Sequence, residues 1–273
     1  MRASTQAPEL EFIELSQAGD VGTMTLNRPD DLNAMHPGMI EELMLVSTWL
    51  ADSAPYRALV VTGAGAAFSA GGDVNWFRDG LDDPDINLSA SVRRGADVLH
   101  QAIIDFKRIP YPVVAAVNGP AAGAGFSLAL MCDSRIASES AFFACAYGRI
   151  GAAPDGGMSY FLPRIIGPGR AAELMLNDPN LKAEAALELG LVAKVVPAEE
   201  LAEAAAAKAA NYAKLAPHYV RMVKSLVWQS LDNGLADHLQ IERHGIADSM
   251  ATEDLQNGLR AFFSGEEVVF TGD

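Results

Sequence analysis

The sequence predicts an α/β fold, and three observations carry that prediction. Apolar runs too short for helices, ALVVTG at 58–63 and PVVAAVNG at 112–119, read as buried strands. Each breaks into a glycine-rich stretch, AFSAGGDV at 67–74 and NGPAAGAGFSLAL at 118–130, the sign of a tight exit from a strand. Helix-period segments separate the runs, and from about residue 167 the chain reads as helix.

In chain order, EFIELSQAG and VGTMTLNRP resemble an antiparallel pair split at Gly19–Asp20, followed by a helix from about Met39 to Asp52. The strand at 58–63 and the first glycine-rich break come next. DGLDDPDIN at 79–87 is acidic, contains proline and has no periodicity, which predicts a loop. A helix from about Ser91 to Phe106 carries Val92, Val98, Leu99, Ala102, Ile103 and Phe106 on one stripe. The strand at 112–119 follows, then SRIAS at 134–138 and FFACAY at 142–147 as further strands. GPGRAAELMLN and KAEAALELG read as helices, the second stopped by Gly190, and LVAKVVP as a short strand. Residues 197–217 are alanine-rich, with proline near each end, a helix by propensity and caps. Two more helices are expected at 218–231 and 234–248. The division predicted is a core over 1–200 and a helical oligomerisation region over 201–273 that covers another subunit.

Bulk composition narrows the function classes. Half of the 273 residues are apolar, which suits a folded core. A formal net charge of −15 argues against nucleic acid or an anionic membrane as partner, since both need a basic face. No apolar run reaches the roughly 18 residues of a membrane span. Cys132 and Cys145 lie in apolar surroundings without metal-ligand spacing, so two buried free thiols and a cytoplasmic location are expected, and no metal site.

The glycine-rich breaks carry the first chemical suggestion. Small residues at the end of a strand leave backbone N–H groups open to a ligand oxygen, and two such breaks can converge on one atom. Donors fixed where negative charge develops form an oxyanion hole, worth about 3 kcal/mol per donor in the transition state. Ordinary strand-to-helix turns would carry the same glycines, and spacing alone does not separate the two readings.

Four ordered segments go further: LNRPDDLNAM at 26–35, TGAGAAFSAGGDV at 62–74, AAVNGPAAGAGFSLALMCD at 115–133 and GAAPDGGMSYFLPRIIG at 151–167. With them the chain resembles the crotonase, or enoyl-CoA hydratase/isomerase, superfamily from about residue 10 to its C-terminus. The resemblance implies a crotonase-like spiral of repeated ββα units, a helical C-terminal trimerisation region, a homotrimer or dimer of trimers, and an acyl-CoA thioester substrate. Coenzyme A would then be part of the substrate, with no tightly bound cofactor. It places the two oxyanion donors on the backbone N–H of Gly72 and Ala124, with Ala70, Gly71 and Gly123 beside the bound acyl group. Ala124 also opens a predicted helix, whose positive end favours a developing enolate.

Departures from the family pattern bear on the reaction. Hydratases resembling this chain carry two glutamates, and the matching positions hold Ser127 and Tyr147, neither a carboxylate. Asp155 matches the acid/base aspartate of several isomerase branches. One carboxylate suffices to remove a proton at one carbon and return it at another. Burial among Phe and Met side chains would raise its pKa toward neutrality. Outside this frame an Asp between Pro154 and Gly156 is a turn former. The same segment resembles the aryl-CoA dehalogenase branch, whose water-activating histidine aligns here with Ile104. Hydration, or binding without catalysis, remain alternatives.

Arg28 is the expected phosphate contact for coenzyme A, with Arg57, Arg78 and Arg93 as reserves, because Glu266 and Glu267 stand where relatives carry basic residues. His36 is expected at the surface. His100, His218, His238 and His244 receive no catalytic role, and Asp73 is read as a turn cap.

Overall fold

The computed structural model of the protein describes residues 6–273. Strands β1 (Ile13–Ala18), β2 (Val21–Leu26), β3 (Ala58–Gly63), β4 (Val113–Val117), β6 (Ser134–Ser138) and β9 (Lys194–Val196) form one sheet in that spatial order. Three short strands, β5 (Ala121–Ala122), β7 (Phe142–Ala144) and β8 (Leu181–Lys182), form a second. β1 and β2 pair antiparallel through the Gly19 turn, where φ is +59°. Every other pairing in the large sheet is parallel, so each of those strands needs a crossover. β4 and β6 each hand on to a strand of the small sheet and then to a helix, the repeated ββα unit the resemblance implies.

Helices α1 (Pro37–Ser53), α2 (Val74–Asp82), α3 (Leu88–Arg108), α4 (Ala124–Met131), α5 (Met158–Ile166), α6 (Pro168–Asn177) and α7 (Ala183–Glu188) make the crossovers. α8 (Leu201–Ala213), α9 (Pro217–Gln229), α10 (Leu235–Met250) and α11 (Glu253–Ser264) complete the chain. One core joins the sheet to α1, α3, α4 and α5 through residues such as Leu59, Val61, Leu99, Phe106, Phe126 and Met158. The opposite face is covered by α8. Its Leu201, Ala205 and Ala209 pack on Ala58, Val60, Val114, Ala116 and Ile136, and the small alanines let helix and sheet approach closely.

Several expectations need correction. The loop predicted over 79–87 is shorter, because α2 runs through Asp82 and α3 begins at Leu88. Asp73 supplies the missing signal, capping the Asn75 and Trp76 N–H groups at 3.0 and 3.2 Å. The strand expected over 142–147 stops at Ala144, since Ala146 turns into left-handed backbone at φ +64°. An unforeseen helix, α11, is capped by Thr252. Asp254 in its first turn is buried, accepting from Thr271 and Gly272 N–H, and so fastens the C-terminal tail. Among the described residues no helix is long and apolar enough to cross a membrane.

Candidate active site

The two glycine-rich breaks meet. Ser69 bridges Ala121 and Met35 bridges Gly72, so the chain after β3 is stitched to the start of α1 and to the small sheet. Gly71 has φ +91°, and a Cβ there would stand 2.6 Å from the Ala122 carbonyl oxygen and 3.2 Å from the Ala124 nitrogen. Gly123 faces back, its Cβ position 3.8 Å from the Gly71 Cα. At Gly71 only glycine gives both the backbone angle and the clearance, while at Gly123 the φ of +50° alone favours glycine. Their neighbours Gly72 and Ala124 present N–H groups that donate to no atom of the described residues, although the surrounding backbone is paired: Met35 to Gly71, Asp73 to Met35, Gly123 to Ala144. Ala70 is held by the Leu32 carbonyl at 2.9 Å. Ala124 is the first residue of α4, whose N-terminus adds its positive end to the same place.

Asp155 reaches this place through Gly156, which has φ +62° and a Cβ position 3.0 Å from Ser127 Cβ and 3.8 Å from Ala124 Cα. Three donors hold the Asp155 carbonyl oxygen: Tyr147 Oη at 2.9 Å, Ser127 Oγ at 3.0 Å and Met158 N–H at 3.2 Å. The carboxylate Oδ1 accepts from the Gly156 N–H at 2.6 Å and meets His100 Nε2 at 2.5 Å. Both contacts fall on one oxygen, Oδ1. The Asp155 side chain is 37% exposed, so the deep burial expected for it is not found. Burial instead acts on Tyr147, whose phenol is pushed up to about 12 and stays a donor.

His100 is the residue sequence reasoning missed. It lies 55 residues from Asp155, and α3 brings the two together. Ile104, aligned above with a histidine, is exposed one turn further along α3. A signal was present: His100, Ile103 and Lys107 follow one another at helical spacing of three and four. The other histidines sit elsewhere; His36 caps α1, its Nδ1 accepting from Met39 N–H at 3.1 Å.

Arg28 is spent on structure. Its guanidinium donates to the Ala34 carbonyl at 2.5 Å, to Asp73 at 3.1 Å and to Asp31 at 2.6 Å, clamping the 26–35 loop to the α2 cap. Burial alone would raise the Asp73 pKa; the Trp76 N–H, Arg28 and the Asn75 N–H outweigh it and hold the carboxyl low. Arg57 donates to the carbonyls of Leu215 and Phe270, and Arg78 pairs with Asp79 at the surface.

Two hollows adjoin the site. A small apolar one is lined by Met35, Leu99, Ile103, Phe106, Ala124 and Gly156. Beyond Ile103 opens a cleft of about 550 Å³ with His100, Lys107, Gly157, Tyr160, Phe161 and Trp228 on its walls. Phe143, by contrast, is buried in the core against Phe126.

Comparison with known proteins gives the family in which this arrangement stands. Residues 16–273 fit the family described as Enoyl-CoA hydratase/isomerase. The chain belongs to that family. It is 35% identical to the 1,2-epoxyphenylacetyl-CoA isomerase of Escherichia coli, over 96% of this chain and 99% of that protein. It is equally identical, at 35% over 93% and 90%, to a Mycobacterium bovis protein named "Probable enoyl-CoA hydratase echA12". The crystal structure of an enoyl-CoA hydratase from Bacillus anthracis superposes with a TM-score of 0.89 at 32% identity, covering 96% of this chain and all of that one. Hydratase and isomerase names stand side by side among relatives of this enoyl-CoA hydratase/isomerase family member.

Proposed function

We propose that this family member isomerises an enoyl-CoA, moving a double bond or rearranging a ring, with Asp155 as the single acid/base. The observation that carries the reading is what Ser127 and Tyr147 do. Both donate to the Asp155 carbonyl and hold the aspartate in place, where a hydratase of the resembling kind would need carboxylates to handle water. In the proposed cycle the thioester oxygen accepts from the Gly72 and Ala124 N–H groups. Asp155 Oδ2 takes a proton from carbon, and the electron pair moves onto the thioester oxygen as an enolate. The enolate collapses as the same carboxyl returns the proton at another carbon. His100 donating to Oδ1 keeps the carboxylate in one rotamer throughout.

The test is to incubate a 2-enoyl-CoA and a 3-enoyl-CoA separately with the protein. Interconversion at unchanged mass, abolished by Asp155→Asn, supports isomerisation. A gain of one water establishes hydration instead, and binding without turnover establishes a non-catalytic member.

His100 favours one second reading. The aryl-CoA dehalogenase branch resembled by 142–167 pairs an aspartate nucleophile with a histidine, and His100 stands at Asp155. There the carboxylate would attack the halogen-bearing ring carbon, halide would leave with the bonding pair, and water would cleave the resulting aryl ester. Halide release from a halobenzoyl-CoA tests it.

The proposal includes a homotrimer or a dimer of trimers built on α9–α11. Tyr219, Val227, Leu235, Leu239, Phe262 and Phe263 support it as exposed large apolar side chains on these helices. Light scattering at two protein concentrations checks the mass.

A further inference from the structure

The cleft beyond Ile103 ends in positive charge, on a chain whose formal net charge is −15. Its charged or titratable lining is His100, Lys107, Arg108 and Tyr160, whose hydroxyl donates to Asp232 at 3.1 Å, with no carboxylate among them. Arg108 is already held by Asp105 at 2.7 Å and Asp52 at 3.1 Å. Lys107 is not matched in the same way. Its side chain is 19% exposed, and its Nζ donates to the Met131 carbonyl at 3.1 Å while lying 4.3 Å from the centre of the Trp228 ring. The nearest carboxylate, Asp133, is 3.8 Å away and bound more closely to Lys224, at 2.5 Å. Arg135 adds a third cation to this neighbourhood, and its own donors go to the carbonyls of Leu191, Leu130 and Cys132. One carboxylate thus serves three cations. An adjoining hollow that shares Lys107, Arg108 and Trp228 adds Arg221 and Lys224 to the lining, again without an acid.

Such a wall is a poor end for a hydrocarbon tail. An apolar terminus would strip water from a half-buried ammonium and put nothing in its place. A carboxylate there would complete the pairing, and the rings of Tyr160, Phe161 and Trp228, whose centres are 5.3–5.6 Å apart, would flank the chain leading to it. The cleft adjoins the reaction site. Ile103 lines both hollows, His100 touches Asp155, and Lys107 lies two helical turns along α3 from His100, about 10 Å.

We infer that the acyl group processed at this site ends in an anion, a carboxylate held at Lys107 against the Trp228 ring. The inference rests on the acyl-thioester reading above and deepens it by naming a substrate class. A terminal carboxylate about 10 Å along α3 from the His100–Asp155 contact corresponds to a chain of medium length or to a ring bearing an acid.

Calorimetric titration separates this inference from the reading beneath it. The full-length protein is titrated with free coenzyme A and with matched saturated thioesters of six, eight and ten carbons, each as the methyl-ended and the ω-carboxylate form. The expected result is that at least one carboxylate form binds about tenfold more tightly than its methyl-ended partner. Lys107→Met should remove the difference while leaving free coenzyme A unaffected, and Lys107→Arg should retain most of it. If methyl-ended forms bind as well as carboxylate forms throughout, or if Lys107→Met keeps the preference, the inference is overturned and the acyl-thioester reading stands. Equal weakening of coenzyme A and every thioester by Lys107→Met overturns it too, and assigns the charge to a coenzyme phosphate. Failure of every thioester to bind the folded protein overturns both. The wild-type comparison needs no variant, so a Lys107→Met protein that fails to fold leaves it decisive.

Discussion

The two halves of the site are built differently. The oxyanion half is backbone: Gly72 and Ala124 offer N–H groups whose positions follow from strand ends, two isolated bridges and the close contact of Gly71 with Gly123. The acid/base half is side chain: Asp155 on a loop, steadied by Ser127, Tyr147 and His100 from three other places in the chain. A backbone donor survives most substitutions at its own position, whereas a carboxylate is lost with one. In the proposed cycle the first half would serve enolate chemistry in general, and the second would decide which carbon gains or loses the proton.

The sharpest way to break this contrast is Asp155→Asn. It should lower kcat by about a thousandfold with little change in KM or melting temperature, since the amide keeps the shape and cannot take up the proton. A variant within tenfold of wild type would move the acid/base role elsewhere. Gly71→Ala probes the backbone half. Its methyl would meet the Ala122 oxygen at 2.6 Å and force the Ala124 nitrogen aside, so a loss of about a hundredfold in kcat is expected. Gly151→Ala has a similar positive φ, +70°, with open space around it, and should cost stability alone, on the order of 1 kcal/mol.

His100→Ala should lower kcat by roughly tenfold or more with KM nearly unchanged, and His100→Gln, which keeps an N–H donor, should recover part of it. Steady-state kinetics on both variants distinguishes a positioning role from simple loss of fold. The smallest effect concerns the α2 cap. Because the folded-state pKa of Asp73 is depressed, its contribution is present above the unfolded value near 3.9 and is lost as pH falls through the lower folded value. Asp73→Ala should destabilise by about 1 kcal/mol at pH 7, and the gap should close below about pH 4. Denaturant unfolding at the two pH values reads it.

Much of the fold was legible. β3 falls on the predicted 58–63, because a short apolar run bounded by small or polar residues leaves little choice of register, and β6 falls on the predicted 134–138 around Ile136 and Ala137. The 79–87 segment reads as a loop because α2, capped by Asp73, carries Val74, Trp76 and Phe77 ahead of that window and only Leu81 within it. Among the site residues, the glycine breaks and Asp155 were visible as motifs. For His100 the sequence offers only the helical spacing with Ile103 and Lys107, which places the three on one face and does not tie the histidine to a carboxylate 55 residues away.

The sequence by itself determined the α/β core, the two glycine breaks and the absence of carboxylates at 127 and 147, since each rests on local patterning or residue identity. Only the tertiary structure decided that Ser127 and Tyr147 serve the Asp155 loop, that Arg28 is a clamp, and that His100 and Lys107 face one cleft. Hydrogen bonds and charge pairs act over a few ångströms in space, and the distance along the chain between their partners carries no trace of that proximity.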